Sequence, residues 1–326
     1  MKKTGIIKMA SGLILIVVIF TIITNYQTVS DFLRGMFYTP SSEMIQVRED
    51  LNLTPKGELI FNASRPEFNN EENFNENCYS FDENEAILGC YRDQRIFVYK
   101  ITAPELSGIL ELTTAHELLH AVYERMSIKE KNELRSLLEK VYQENLATLK
   151  EEIDIYNIDK QLEEIYVRAG TEIKDLPEEL EKHYAEVFND QDKITTFYES
   201  YIKVFREIEA EIKALEAEMA TLNAQIDAKS AEYENGVIDL NREIDGFNNC
   251  ANTAGCFNSD YEFYVRRSEL VGRQNWLQAL YDEIEILINQ YNFNVAKYNN
   301  NVIRNNNLQN IINSHVRVDD SPVENF

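Results

Sequence analysis

The stretch TTAHELLHAVYERM, from Thr113 to Met126, contains two of the four histidines in the 326 residues of the chain. His116 and His120 are four positions apart, so on a helix both imidazoles leave the same face one turn apart. The other positions supply apolar side chains that can anchor the helix to a core, namely Ala115, Leu118, Leu119 and Val122. The stretch therefore predicts an amphipathic helix whose histidines face a cleft.

Two threonines indicate where this helix begins. Thr113 and Thr114 are candidate N-caps, and Glu117 follows Thr114 by three positions, which completes a capping-box pattern. We expect the helix to begin there and to end at about Met126.

The residue types on the histidine face suit a zinc ion. Zinc accepts two neutral imidazoles and one carboxylate, and it keeps a fourth position for water. Glu117 comes directly after the first histidine, where its carboxylate can take a proton from that water. The pattern predicts His116 and His120 as metal ligands and Glu117 as the general base.

With its HELLH pattern the chain resembles the zincin metallopeptidases, and among them the gluzincins, whose third zinc ligand is a glutamate on a later helix. The resemblance covers about Leu112 to Asp190, under a third of the chain, and the metzincin pattern HExxHxxGxxH is absent. It implies a zinc-dependent peptidase with a polypeptide substrate.

The third metal ligand is sought in the downstream stretch QLEEIYVRAGTEIKDLPEELEKHYAEVFND, which is similar to the glutamate-helix segment of gluzincins. Glu164 is the first choice, and Glu172 and Glu186 are the alternatives. Gluzincins often carry an aspartate four residues after the ligand. Arg168 holds that position after Glu164, whereas Asp190 follows Glu186 at that spacing. Helical periodicity leaves the choice open.

Helical patterns continue after the histidine helix. They run from Lys129 to about Ala169, are interrupted at Gly170 and restart at Pro177, a good first helical residue. On the helix predicted to begin at Pro177, the resemblance implies His183 and Tyr184 as hydrogen-bond donors to an oxyanion. Each has a structural alternative: Tyr184 fits the apolar face as a core residue, and His183 fits an exposed position.

Three segments before the histidine helix carry secondary-structure signals. SSEMIQVREDL predicts a short helix capped by Ser41 or Ser42, and ELIFNAS, from Glu58, predicts a strand. Two β-rich runs around an Arg-Asp-Gln turn predict a hairpin from Ala86 to Thr102. Its second strand, RIFVYKI, is either an edge strand that pairs with an extended substrate or an interior strand of the sheet.

The second half of the chain has the pattern of a coiled coil. Apolar residues from Tyr201 to Phe247 alternate steps of four and three, and a similar spacing runs from Leu270 to Val302. The two helices should pair antiparallel over about 75 Å, with the Cys250 to Cys256 loop at the tip and a surface that can carry a protein partner. The alternative is a pair of long helices within a globular bundle.

The first residues predict a membrane anchor. Lys2, Lys3 and Lys8 precede an uncharged, β-branched-rich run from Met9 to Thr24. The run is suited to cross a membrane with the lysines on the cytoplasmic side. A cleaved signal peptide is the alternative, although no A-x-A-like site follows. We expect a single-pass protein of the cell membrane whose bulk lies outside the cytoplasm.

The four cysteines agree with that location, because disulfides persist outside the cytoplasm. Cys78 and Cys90 are close in sequence, as are Cys250 and Cys256. Two local disulfides are the simplest pairing. The alternative is four free thiols in a cytosolic protein.

Composition and pattern together divide the chain and limit its partners. A net charge of −24, without a Lys/Arg-rich run, argues against nucleic acid as a partner. We expect an α+β, mostly helical protein with an anchor at 1–30, a zincin-like domain at 31–195, a coiled-coil hairpin at 196–310 and an acidic flexible tail at 311–326. The expected function is zinc-dependent endopeptidase activity. The alternative is a cell-surface adhesion or scaffold protein in which the coiled coil acts and HELLH is vestigial.

Overall fold

The computed structural model describes residues 26–78, 87–154 and 156–313, and most of them are helical. The chain divides into two units, of which the second covers Phe205–Leu308. The helices are α1 (Tyr26–Gly35), α2 (Ser42–Leu51), α3 (Pro55–Ser64), α4 (Glu71–Cys78), α5 (Ile109–Arg125), α6 (Ile128–Glu144), α7 (Leu146–Ile153), α8 (Ile158–Glu172), α9 (Glu178–Tyr184), α10 (Gln191–Ala251) and α11 (Asp260–Ile312). The strands are β1 (Glu67–Asn69), β2 (Gly89–Arg92) and β3 (Arg95–Tyr99), and a 3-10 turn covers Pro104–Leu106. The predicted α+β class with a small sheet and a long helical pair is confirmed.

Side-chain caps fix the starts of several helices in the first unit. Ser41 accepts a hydrogen bond from the Met44 N–H and caps α2. Of the two predicted caps, Ser41 and Ser42, Ser41 is therefore the one used. Ser127 and Glu130 form a reciprocal capping box at the start of α6. The N-termini of α2 and α6 are thus determined by residues that lie within one helical turn of each other.

The segment from Glu58 that we predict as a strand is part of helix α3, so this prediction is wrong. Thr54 accepts a hydrogen bond from the Gly57 N–H, and Pro55 follows Thr54 as the first helical residue. This start signal commits the segment to a helix, whose buried face includes Phe61.

Helix α5 begins at Ile109, earlier than the predicted start at Thr113 or Thr114. Gly108 precedes it with a φ of 89°, which glycine adopts without strain. The Thr114 hydroxyl donates to the carbonyl one turn earlier, at 2.6 Å, as threonines inside helices do. The predicted capping box is therefore wrong, and Glu117 lies in the body of the helix.

The predicted helical stretch from 129 to 169 is divided into α6, α7 and α8, and α8 continues through Gly170. The predicted interruption at Gly170 is wrong because this glycine serves close packing. A Cβ there would lie 2.6 Å from both Leu119 Cδ1 and Tyr184 Cε1. Pro177 is the residue before α9 rather than its first residue.

The sheet has the strand order β1-β3-β2, with β1 parallel and β2 antiparallel to β3. The hairpin is confirmed for Gly89 to Tyr99, and its turn residues Asp93 and Gln94 have φ values of 50° and 60°. Both lie in the region that a two-residue hairpin turn requires. Strand β3 carries RIFVY and is central, so the edge-strand interpretation of this segment is wrong. The edge position next to it belongs to β2.

The core of the first unit lies around α5. Its members come from α2, α3, β3 and each helix from α5 to the start of α10. Five of the fully enclosed residues are Leu51, Phe61, Ile96, Leu118 and Tyr166. Helix α5 is therefore held on several sides, which fixes the positions of its polar residues.

In the second unit, α10 and α11 pair antiparallel, as predicted. Lys229 forms an ion pair with Glu283 at 2.6 Å, and Glu243, further along α10, pairs with Arg273, which comes earlier in α11. The seam between the helices buries leucines and isoleucines, including Leu215, Leu240, Leu277, Leu280 and Ile284. Asn294 is also buried there, and its Nδ2 donates to Glu218 Oε2 at 2.9 Å.

Both predicted disulfides are present, Cys78–Cys90 in the first unit and Cys250–Cys256 at the turn between α10 and α11. The predicted membrane anchor at Met9 to Thr24 lies outside the described residues, as does the tail from 314. Among the helices of the described ranges, none has the length and apolar character needed to cross a membrane.

Candidate metal centre

Helices α5 and α8 bring the predicted ligands together. His116 and His120 lie one turn apart on α5, with ring centroids 5.1 Å apart. Glu164 lies on α8, where it is 8% exposed and faces both rings. The close approach of the two helices at Gly170, against Leu119, makes this meeting possible.

The three side chains offer ligand atoms that all lie within 4.8 Å of one another. His120 Nε2 is 3.4 Å from Glu164 Oε1, and His116 Nε2 is 3.9 Å from Glu164 Oε2. Two ligands about 2.1 Å from a tetrahedral zinc ion lie about 3.4 Å apart. The donor types and their spacing therefore fit a zinc ion.

Glu117 lies beside this cluster and is 5% exposed. Strand β2 passes directly over it at Gly89. A Cβ at Gly89 would lie 2.7 Å from Glu117 Cγ, 2.8 Å from Glu117 Oε1 and 2.6 Å from Thr113 Cγ2. The absence of a side chain at Gly89 thus gives the Glu117 carboxylate its room.

Glu163 is a site residue that the sequence reasoning missed. The other ring nitrogen of His120, Nδ1, donates to Glu163 Oε1 at 2.8 Å, because a carboxylate can only accept. The ring is held between two consecutive glutamates, with Glu164 at Nε2. Carboxylates that orient ligand histidines in this way are common in metal sites. The signal in the sequence was the Glu-Glu pair itself.

The surroundings separate the pKa values of the two histidines. Burial alone would lower the pKa of His120, but the hydrogen bond to Glu163 and the charges of Glu117 and Glu164 raise it to about 9. The pKa of His116 is instead well below its usual value, because of burial, the neighbouring His120 and Arg168. His116 is therefore neutral at physiological pH, the form that binds a metal.

The two alternative third ligands lie elsewhere. Glu172 receives a hydrogen bond from Arg168 Nη1 at 3.0 Å and is nearly enclosed. Glu186 pairs with Lys56 at 2.6 Å and is more than half exposed. Neither approaches the histidine pair as Glu164 does.

His183 and Tyr184, the predicted oxyanion donors, have other partners. Tyr184 is fully buried, and its hydroxyl donates to the carbonyl of Tyr166 at 2.6 Å, so it occupies its core alternative. His183 Nε2 lies 3.1 Å from the Tyr166 hydroxyl. Burial lowers the pKa of His183, and the charges that act on it belong to Glu186, Lys56 and Glu130. Tyr166, two residues after Glu164 on α8, is thus the hydrogen-bond partner of both side chains.

Comparison with known proteins does not identify a family. No protein-family model, curated protein or solved structure matches the chain.

Proposed function

We propose that the chain is a membrane-anchored, zinc-dependent endopeptidase of the gluzincin type whose active site lies outside the cytoplasm. One observation carries the proposal. His116, His120 and Glu164 offer ligand atoms within 4.8 Å of one another, and the buried Glu117 follows the first of them on the same helix.

Each residue of the cluster has a role in such a reaction. His116, His120 and Glu164 would hold the zinc ion, which would supply a Lewis acid to acidify water and polarise a carbonyl. The Glu117 carboxylate accepts the proton of the attacking water and returns it to the leaving amine. Glu163 fixes the ring of His120 through Nδ1, so that Nε2 keeps its direction.

The neighbourhood of Glu117 supports a polypeptide as the substrate. Strand β2 lies at Gly89 against Glu117, and among the described residues β2 pairs with β3 alone. Its other edge offers backbone groups with which an extended peptide can pair. An extended chain bound there passes close to the general base.

The location outside the cytoplasm has two supports. The apolar run from Met9 to Thr24 follows three lysines, as in a signal anchor. The disulfides Cys78–Cys90 and Cys250–Cys256 are of the kind that oxidising compartments maintain.

The test measures zinc and peptide cleavage on the purified full chain. We expect about one zinc per chain and cleavage in a peptide library that chelation abolishes. Glu117→Gln should keep the zinc and lose several orders of magnitude in turnover, because only the base is removed. Glu133→Gln, at an exposed position on α6, is the matched control and should change neither.

Two results count against the proposal. A full chain that binds no zinc at micromolar concentrations lacks the metal centre. Unchanged cleavage by Glu117→Gln would remove the general base from the mechanism.

The second candidate is the adhesion or scaffold protein, and one observation favours it. Near the Cys250–Cys256 disulfide, α11 exposes Tyr261 and Tyr264, each by more than half. Aromatic side chains are enriched where proteins bind partners. A scaffold needs no metal, so the zinc content of the chain separates the two candidates.

A further inference from the structure

Helix α1 is amphipathic with its polar side turned toward the protein. Asp31 is 2% exposed and accepts two hydrogen bonds from Arg125, on α5, at 2.9 and 3.0 Å. Gln27 donates to the same carboxylate, and Arg34 donates to the Gln94 carbonyl in the β2–β3 turn. Asp31 and Arg34, on the polar side, therefore link α1 to α5 and to the hairpin, and Arg65, after α3, donates to the Arg34 carbonyl.

The opposite side of α1 is apolar and open. Its large side chains are each more than half exposed, namely Tyr26, Phe32 and Leu33 on the helix and Met36 and Phe37 just after it. A helix on the surface of a soluble domain has the reverse arrangement, with its apolar stripe inward. A contiguous exposed patch of this kind marks a surface that is covered by something other than water.

We propose that this apolar face of α1 lies in the interfacial layer of the lipid bilayer, where it docks the first unit onto the membrane. The proposal rests on the membrane anchor of the proposed function, and it is independent of the metal. The apolar run that we predict as the anchor ends at Thr24, two residues before Tyr26. That short connection keeps α1 within reach of the headgroups.

The chemistry of the face favours lipid over a second copy of the chain. Tyr and Phe side chains are suited to the interface between headgroups and acyl chains, together with Leu and Met. A chain with a net charge of −24 is repelled by its own copies and by anionic lipids. Binding must therefore come from apolar insertion, for which a neutral headgroup such as phosphatidylcholine is sufficient.

Docking through α1 would also fix the position of the candidate metal centre. Arg125 lies five residues after His120 on α5, and besides Asp31 it binds the Tyr91 hydroxyl on β2 at 3.1 Å. One guanidinium thus joins α1 to α5, which carries Glu117, and to β2, which lies against Glu117. Substrate segments that lie close to the membrane surface would be presented to the site.

The test is depth-dependent quenching of tryptophan fluorescence in the full chain, reconstituted into phosphatidylcholine vesicles with brominated acyl chains. In a Trp276→Phe background, which removes the only tryptophan, single tryptophans replace Tyr26, Phe37 or, as a control in the first unit, Leu146 at the start of α7. An upright α1 would carry its far end about 15 Å further from the bilayer than Tyr26. A helix that lies in the interface keeps both ends at one depth.

We expect the tryptophans at 26 and 37 to be quenched to a similar degree and the tryptophan at 146 to keep its emission. Quenching at 26 alone would overturn the docking proposal and leave the anchor intact. Quenching at none of the positions would reject the anchor as well. If the emission at 37 is not quenched by bromine but shifts when the protein is diluted, the face binds a second copy of the chain. Equal quenching at all three positions would indicate unspecific adsorption. Each of these two results would overturn the proposal.

Discussion

His120 Nδ1 lies 2.8 Å from Glu163 Oε1, while His120 Nε2 lies 3.4 Å from Glu164 Oε1. Glu163 and Glu164, consecutive residues of α8, therefore lie at the two ring nitrogens of His120. The first orients the ring, and the second shares with it the position where we propose a zinc ion.

Replacing Glu163 should weaken zinc binding without removing it. In Glu163→Gln the amide holds the ring less strongly and no longer raises its basicity, so we expect a loss of about 10- to 100-fold in zinc affinity. Competition with a fluorescent chelator measures it. An affinity equal to that of the unchanged chain would show that the Glu163 contact does not tune the site.

The choice of the third ligand has a direct comparison. Glu164→Gln should abolish stoichiometric zinc binding, because two imidazoles alone form an incomplete site. Glu186→Gln, at the exposed residue that pairs with Lys56, should bind zinc normally. Metal analysis after gel filtration reports both variants, and the reversed pattern would make Glu186 the ligand.

Zinc binding should depend on pH through His120. Its pKa of about 9 means that the metal-free ring is protonated at neutral pH and must lose a proton to become a ligand. His116, with its lowered pKa, is already neutral. Affinity should therefore rise from about pH 6 to pH 9, with release of about one proton per zinc at pH 7. Calorimetry in buffers of different ionisation enthalpy counts the protons, and a flat profile contradicts this.

Gly89→Ala should impair catalysis selectively. The new Cβ would meet Glu117 Cγ and Oε1 at 2.7 and 2.8 Å, so the carboxylate must move. We expect turnover to fall by about 10-fold or more, since small displacements of a catalytic group are costly, while zinc content stays unchanged. Gly272→Ala is the matched control, because a Cβ there meets nothing within 4 Å. Equal activity of the two variants would remove any role for this close approach.

Breaking the pair between Asp31 and Arg125 should destabilise the first unit. The two side chains are 3% and 7% exposed, and Asp31→Asn leaves the Arg125 charge buried without its counterion. The expected loss is about 3–5 kcal/mol in the free energy of unfolding. Glu186→Gln breaks an exposed pair and should cost about 0–1 kcal/mol. Thermal unfolding of the detergent-solubilised chain compares them, and similar midpoints would contradict the prediction.

Local patterns in the sequence predicted what depends on neighbouring residues. The histidine pair on one helix face, the hairpin turn at Asp93 and Gln94 and the two disulfides each follow from short spacings. The antiparallel helical pair followed from a seam repeated over many turns.

Features that depend on how elements pack escaped this reasoning. The segment after Glu58 has β-rich composition, but its burial inside the first unit favours a helix that the Thr54–Pro55 signal starts. Gly170 interrupts no helix, because its lack of a side chain serves the contact between α5 and α8. The rotation of α8 that turns Glu163 and Glu164 toward His120 is fixed by the same contact and cannot be read from periodicity.

The buried Asn294, which donates to Glu218, has a consequence for how the helical pair forms. A buried amide in a leucine-rich seam lowers stability relative to an apolar side chain, even when an exposed carboxylate at the edge of the seam accepts its hydrogen bond. If the helices slid past each other by one turn, the amide would lose the carboxylate and face leucines, and every shifted alignment would be penalised. The cost to stability thus selects a single register of α10 against α11. The turn closed by Cys250 and Cys256 can therefore form at one place only.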